Sequence, residues 1–251
     1  MFWSLLVAAA LAAPVTLTTS DGQAIHADVN GKGERALLLV HADQRSHTDW
    51  QFFTKILNDL GYRTMAIDLR GHGQSTLGQE ITETDYLAMP LDAQAGVQWL
   101  AKNGAKHITA VGDQLGGSVL LAAVAETPAI NSLLLLTPHL SNNGLKVSTA
   151  LLEKLGDRPI MMAAGIDDAK SVKAATLMES KLGANARVEI VTDGGEGISM
   201  LNRAPHFESL VVSWISQSGE LQKAGKLQGE DRLKASDVDK IETTGTRFTD
   251  R

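Results

Sequence analysis

One short string places a polar side chain inside a shell of glycines. In AVGDQLGGSVL (110–120), Gln114 has Gly112 and Gly116 two positions away on either side. Small residues at those positions are what a sharp strand-to-helix turn requires, because a side chain there would collide with the turn. Such a turn presents its central side chain to a ligand. Here that side chain is a carboxamide, which donates and accepts hydrogen bonds but is not a nucleophile.

Two carboxylates follow later apolar runs. Asp168 lies in GIDD (165–168), and Glu196 lies in DGGEGISML (193–201). If the fold brings both groups to one site, we expect one of them to be partly protonated, or a cation or hydrogen-bond donor to lie between them. The alternative is that both face water and have no chemical role.

The elements around these strings alternate between strand and helix. After a hairpin over 15–30, short apolar runs predict strands at 37–40, 62–68, 107–111, 133–136, 159–164 and 187–191. Helical spacing predicts helices at 50–60, 91–102, 116–126, 151–155, 172–182 and 206–216. This alternation predicts an α/β chain with a parallel, doubly wound sheet. Ligands of such sheets bind at the carboxyl ends of the strands.

Three motifs together resemble the α/β-hydrolase fold. They are LLLVH (37–41), AIDLRGHGQS (66–75) and the glycine-rich string around Gln114. The resemblance covers 15–216 and implies a mostly parallel eight-stranded sheet with helices on both faces. Small esterase-like and serine aminopeptidase-like members without a lid are the most similar in layout, since no insertion within 137–159 is long enough for a large lid domain.

The resemblance also assigns the triad positions, and two of them are substituted. Gln114 stands where the family has its serine nucleophile, Asp168 stands at the acid, and Glu196 stands at the histidine. A carboxylate is a weaker base than imidazole and cannot relay a proton between two ring nitrogens. Asp113 could replace the nucleophile only if Val111 and Leu115 were small, so we reject that register.

The ligand-binding positions are less affected by the substitutions. By resemblance, the backbone N–H groups of Ala42 and Leu115 form the oxyanion hole, which no side-chain change removes. His41 matches a histidine of the family that is usually structural, and Asp113 lines the site beside Gln114. We therefore predict a pocket that binds a small molecule or a peptide.

These substitutions favour a non-catalytic pseudohydrolase. The alternative is an active esterase or peptidase that uses a non-standard site, for which His139 is the best replacement base because it follows a strand. We predict no cofactor and no metal site. A metal held by Asp113, Asp168 and Glu196 with His41 or His139 stays an open alternative, although the spacing is not specific.

Composition excludes other classes. The 251 residues include no cysteine, which rules out disulfides and thiolate chemistry. The net charge of −6 argues against a nucleic-acid partner. Residues 1–12 resemble a signal peptide whose apolar run is too short to span a bilayer, so we expect a periplasmic or secreted protein. Residues 217–251 are predicted to form a polar tail.

Overall fold

The computed structural model describes residues 13–224, with side chains described as far as Ser218. The predicted signal peptide and most of the predicted polar tail lie outside these residues. Ten strands are present in this part of the chain. In order they are β1 (Ala13–Thr18), β2 (Ala24–Asn30), β3 (Arg35–Val40), β4 (Arg63–Ile67), β5 (His107–Asp113), β6 (Ile130–Leu136), β7 (Ser141–Asn142), β8 (Leu145–Lys146), β9 (Ile160–Gly165) and β10 (Ala186–Val191).

The described residues also form eight α-helices and two short 3₁₀ turns. The helices are α1 (Gln51–Asp59), α2 (Glu83–Ala88), α3 (Pro90–Lys102), α4 (Leu115–Val124), α5 (Thr149–Glu153), α6 (Ala169–Leu182), α7 (Ile198–Arg203) and α8 (Pro205–Ala224). The 3₁₀ turns are His47–Trp50 and Gly183–Asn185. Within 13–224, no helix combines the length and the hydrophobicity needed to cross a bilayer.

Eight strands form one sheet, as predicted. Their order is β1-β2-β4-β3-β5-β6-β9-β10, and β7 and β8 form a separate small hairpin. β1–β2 and β2–β4 are antiparallel, whereas the remaining neighbours in the large sheet are parallel. The parallel strands therefore end at one edge, where the catalytic or binding residues of such folds lie.

The central strands are covered by helices on both faces. Leu38 and Val40 of β3 belong to one buried cluster with residues of α3, α4 and α6, while Leu37 and Leu39 belong to another with residues of α1, α7 and α8. Alternate residues of a strand point to opposite faces. This explains why the central strands are continuous apolar runs.

Three elements were not predicted. α2 begins with a capping box in which Thr82 and Asp85 each accept the other's backbone N–H. That T-x-x-D pattern was visible in the sequence. α7 is short and follows two glycines, and the β7–β8 hairpin lies in the segment that the sequence left unassigned. α8 continues to Ala224, beyond the predicted helix end at 216.

Candidate functional site

A sharp turn, here called the elbow (112–116), joins β5 to α4. Its central residue, Gln114, has φ 43° and ψ −102°, a conformation that residues with a side chain rarely adopt. The strand before it ends at Asp113 and the helix after it begins at Leu115. The backbone therefore forms the strained strand-to-helix turn of an α/β-hydrolase, and the half-buried Gln114 side chain occupies its centre.

The glycines of the elbow are needed for packing. A Cβ on Gly116 would collide with the carbonyl oxygen of Val40 in β3. A Cβ on Gly112 would collide with the backbone of Gly116. Gly117, in contrast, would meet only ordinary van der Waals neighbours. The close approach of α4 to β3 thus explains Gly116, and the tight turn from β5 into α4 explains Gly112.

Backbone strain recurs along this edge of the sheet. Gln44, Gln114 and Thr137 have φ values of 56°, 43° and 49°, and they follow β3, β5 and β6. A positive φ is unfavourable for a β-branched residue such as Thr137. Strained residues that the surrounding fold holds in place are concentrated at functional sites. The strained residues therefore lie at the edge of the sheet where the strand topology predicts that a ligand binds.

The two predicted oxyanion donors lie at adjacent strand ends. Val40 pairs with Gly112, so Ala42 after β3 is beside the elbow. Leu115 is the first residue of α4, and its N–H has no acceptor within the helix. The positive end of the helix dipole also favours an anionic or carbonyl oxygen at this point. Both donors belong to the backbone and are independent of the residue at 114.

His41 is fixed within the scaffold. Its Nδ1 lies 2.6 Å from the carbonyl oxygen of Ala42, and its Nε2 accepts the N–H of Leu69 at 3.0 Å. Because Nε2 accepts, the proton is on Nδ1 and donates to Ala42. Burial lowers the pKa of His41 to about 4, so the ring is neutral at physiological pH. With both nitrogens occupied, His41 holds the Ala42 backbone and cannot serve as a metal ligand.

Asp113 is a buried carboxyl immediately before Gln114. Its Oδ2 accepts the N–H of Ile198 at 3.0 Å, while Oδ1 has no hydrogen-bond partner among the described residues. Burial raises the pKa of Asp113 to about 7, opposed by the Ile198 hydrogen bond and supported by the nearby charges of Asp49 and Glu196. The Asp113 carboxyl therefore keeps its proton up to a pH near 7.

Two hydrogen bonds fix the loop that carries Glu196. Gly197 donates its N–H to Oγ1 of Thr137 at 2.7 Å, and the next residue, Ile198, donates to Asp113. Glu196 directly precedes these anchors, and its side chain is exposed. The loop after β10 therefore reaches back over β6 and β5, which brings Glu196 to the edge that carries Gln114.

Asp168 has a different set of partners from those expected. It caps α6, where Oδ1 accepts the N–H of Ser171 at 3.1 Å. Partial burial raises the pKa of Asp168, but the bonds from Ser171 and the charge of His139 outweigh this effect and hold it below its ordinary value. The sequence predicts, if Asp168 and Glu196 meet at one site, either a partly protonated carboxyl or a cation or donor between them. The pKa of Asp168 is lowered, whereas the raised pKa near this edge belongs to Asp113.

Asp43, which follows Ala42 directly, is not among the site residues predicted from the sequence. Its carboxylate accepts Tyr86 Oη–H at 3.0 Å and Nδ2–H of Asn143 at 3.2 Å, and it lies 3.1 Å from Nε2 of His72. These partners come from three separate segments, so the sequence offered no pattern that joins them. The only sequence feature that could have pointed to Asp43 as a site residue is its position just after the end of β3. Asp43 adds a further acidic group beside the predicted oxyanion donors.

The comparisons with known proteins decide the family. The model for serine aminopeptidase, S33, matches residues 31–178, which is more than half of the chain. The chain belongs to this family. This S33-type α/β-hydrolase is 32% identical over 113 residues to the bifunctional esterase/perhydrolase of Acinetobacter calcoaceticus. It is also 32% identical over 101 residues to bifunctional epoxide hydrolase 2 of Mus musculus. These matches span 45% and 40% of this chain, but only 39% and 18% of the relatives.

Solved structures with the same fold cover most of the S33-type chain. An esterase of Pyrococcus furiosus superimposes with a TM-score of 0.65 at 18% identity, covering 89% of this chain and 94% of that one. An esterase of Exiguobacterium antarcticum has a TM-score of 0.63 at 16% identity, covering 81% of this chain and 100% of its own. The α/β hydrolase GrgF of a Penicillium species superimposes with a TM-score of 0.69 at 14% sequence identity. The match covers 83% of this chain and 99% of that one. At these identities the similarity establishes the fold alone.

Proposed function

We propose that this S33-type protein is a pseudohydrolase that binds a small ligand and does not turn it over. The observation that carries the proposal is Gln114 at the centre of an elbow whose backbone has the strained hydrolase conformation. Attack on a carbonyl carbon requires an activated hydroxyl, thiol, amine or carboxylate, and a carboxamide is none of these. In a related triad, losing the nucleophile alone lowers the turnover rate by about a million-fold.

The position of the general base supports the same proposal. Glu196 is exposed, and its loop is held through the backbone of Gly197 and Ile198 rather than through its side chain. Nothing in these contacts orients a proton acceptor toward residue 114. Asp168, at the acid position, caps α6 by accepting the N–H of Ser171, and among the described residues no hydrogen bond joins its side chain to Glu196.

The groups that stay in the pocket suit a neutral or cationic ligand with a carbonyl group. The N–H groups of Ala42 and Leu115 supply donors for a carbonyl oxygen, and Gln114 supplies one donor group and one acceptor. The nearby side chains of Asp43 and Glu196 are acidic and disfavour an anion away from these donors. A short ester, a ketone or an amide, including a peptide, has the required chemistry.

A reconstruction experiment tests the loss of catalysis. The wild type and the double variant Gln114→Ser with Glu196→His are incubated with short-chain p-nitrophenyl esters and with a fluorophosphonate probe. We expect no turnover and no labelling in the wild type, and labelling at position 114 in the double variant. Gln114→Ala with Glu196→His is the matched control. Esterase activity with serine labelling in the wild type would overturn the proposal.

The alternative is an active enzyme with a non-standard base, and one observation favours it. His139, after β6, lies near enough to Asp168 for its charge to contribute to the lowered pKa of that carboxyl, although no hydrogen bond joins the two side chains among the described residues. Two serines of the described residues are poor nucleophile candidates, however, because Ser46 caps the 3₁₀ turn and Ser118 is buried within α4. If this alternative holds, His139→Ala abolishes ester turnover while Gln114→Ala does not.

A further inference from the structure

A second group of ionisable side chains lies at β2 and β4. His26 and Asp28 are two positions apart on β2 and therefore point to the same face. His47 begins the 3₁₀ turn after β3, and Asp68 follows β4. Potential ligand atoms of His26, His47 and Asp68 all lie within 4.8 Å of one another. The pseudohydrolase proposal gives this cluster no role.

The ring of His47 is held in one orientation by Asp68. Nδ1 of His47 is 2.9 Å from both oxygens of the Asp68 carboxylate, which also accepts the backbone N–H of His47 at 2.7 Å and of Gln74 at 2.8 Å. Asp68 is completely buried, and both of its oxygens already have donors. Its role is to orient His47. The proton on Nδ1 leaves the Nε2 lone pair of a neutral His47 directed away from Asp68.

The other side of the cluster is equally well positioned. The backbone of His26 is fixed twice, because its N–H donates to Oγ of Ser75 at 2.8 Å and its carbonyl accepts the N–H of Asp68 at 2.9 Å. The rings of His26 and His47 are tilted against each other with centroids 4.8 Å apart. The Asp28 carboxylate lies between their Nε2 atoms.

The distances across this gap are longer than direct hydrogen bonds, with each histidine facing its own oxygen of the Asp28 carboxylate, and each distance is in the range of two ligand atoms on one ion. Nε2 of His26 is 3.4 Å from Oδ1 of Asp28, and Nε2 of His47 is 3.6 Å from Oδ2. Hydrogen bonds of this type are usually about 2.7–3.2 Å long. Ligand atoms bound tetrahedrally to zinc at about 2.0–2.2 Å are roughly 3.3–3.6 Å apart.

We propose that His26, Asp28 and His47 bind a divalent transition-metal ion of the zinc class. Two imidazoles with one carboxylate form a donor set that Zn²⁺ and its neighbours prefer, whereas Mg²⁺ and Ca²⁺ prefer oxygen ligands alone. Asp68 supplies the carboxylate that fixes the tautomer and orientation of a ligating histidine. In the metal-free protein the amide of Gln74 contacts Nε2 of His26 at 3.3 Å. Metal binding replaces this exposed contact, and the Gln74 oxygen or a water can then complete the shell.

The ion would connect parts of the chain that are distant in sequence. His26 and Asp28 belong to β2, while His47 ends the loop that also contains Ala42 and Asp43. Metal binding would therefore stiffen the loop that carries one predicted oxyanion donor. The ligands involve neither β5 nor α4, so the metal site and the pseudohydrolase proposal stand or fall separately.

Metal titration of the full-length chain tests the proposal. The protein is prepared without a histidine tag, stripped with a chelator and titrated with Zn²⁺ by calorimetry, and with Co²⁺ while its visible absorption is recorded. We expect one Zn²⁺ per chain, Co²⁺ bands of a four- or five-coordinate site, and a Zn²⁺-dependent rise in the melting temperature. Mg²⁺ at the same concentration should leave the melting temperature unchanged.

Variants assign the site. His26→Ala and Asp28→Asn, both at half-buried positions, should each weaken Zn²⁺ binding by at least roughly tenfold. His206→Ala, an exposed histidine of α8, is the matched control and should bind Zn²⁺ like the wild type. Circular dichroism of the metal-free variants verifies folding. If the cluster is instead an imidazolium–carboxylate pair, Zn²⁺ produces no specific heat and Co²⁺ no bands, and the proposal fails. Unchanged affinity in His26→Ala also overturns it.

Discussion

Oδ2 of Asp113 accepts the backbone N–H of Ile198 at 3.0 Å, which ties the strand before the elbow to the loop that carries Glu196. The same carboxyl group lies against Gly197, where a Cβ would collide with it. Loop and elbow are thus held together without any contribution from the side chains at the nucleophile and base positions. This explains how both positions can change while the backbone of the site persists.

The pKa of Asp113 predicts a pH-dependent stability. Burial raises this pKa from 3.8 to about 7. Between these values the unfolded chain releases the proton that the folded chain keeps, so the free energy of unfolding decreases as the pH rises from about 4 to about 7. Asp113→Asn keeps an acceptor for Ile198 but cannot ionise. At pH 8 it should be more stable than the wild type, on the order of 2–4 kcal/mol.

Chemical denaturation at pH 4.5 and pH 8 measures this effect. The gain in the free energy of unfolding of Asp113→Asn over the wild type should be small at pH 4.5 and should reach its whole value at pH 8. Asp167→Asn, at an exposed carboxylate, is the control and should show no such trend. An equal shift in stability at both pH values would contradict the assignment to Asp113.

Gly116→Ala should destabilise the elbow. The new Cβ would collide with the backbone oxygen of Val40, which cannot move without displacing β3. We expect a loss of about 1–3 kcal/mol in the free energy of unfolding, as for other overpacked sites. Gly117→Ala is the neighbouring control because its Cβ meets only ordinary contacts. Equal effects of the two substitutions in urea denaturation would refute the steric role of Gly116.

Gln114→Gly should stabilise the fold. Glycine adopts a positive φ without steric cost, whereas Gln114 holds φ 43° under strain. The relieved strain exceeds the entropy cost of introducing a glycine, so we expect the free energy of unfolding to rise by about 1 kcal/mol. Gln114→Ala retains the strain and should show no gain. A lower melting temperature for Gln114→Gly than for Gln114→Ala would contradict the strain at this position, whereas an equal loss in both variants relative to the wild type would show that the carboxamide makes stabilising contacts.

The arginine of the DLRGHGQS motif has a structural role that mutation can measure. Arg70 is buried and contacts the fully buried Asp92 through Nε at 2.9 Å and Nη2 at 2.6 Å, and the more exposed Asp21 through Nη1 at 2.6 Å. Asp92→Ala leaves the arginine charge buried without its main partner and should cost about 3–5 kcal/mol of stability. Asp21→Ala should cost at most about 1 kcal/mol. Thermal denaturation of both variants tests this order.

The sequence predicted the features that depend on neighbouring residues. Apolar runs located the central strands, and the spacing of Gly112, Gln114 and Gly116 located the elbow, because both are set within a few positions. The contacts of Asp113 with Ile198 and of Asp43 with Asn143 join segments far apart in the chain, and no local pattern encodes them.

The histidine cluster illustrates the same limit. It depends on the antiparallel pairing of Ala27 with Ile67, which sets His26 of β2 beside Asp68 after β4. From the sequence alone, metal ligands are conceivable only at the predicted pocket, and no metal site is predicted. A strand register that is not known in advance decides which of several scattered histidines become neighbours.

The strained backbone at Gln114 also has an evolutionary consequence. If glycine relaxes this turn, then random substitution combined with selection for stability alone would drive the position toward glycine. A carboxamide kept there across orthologues would therefore be the signature of purifying selection on binding, and frequent glycine at this position would instead mark a site whose former chemistry is no longer under selection.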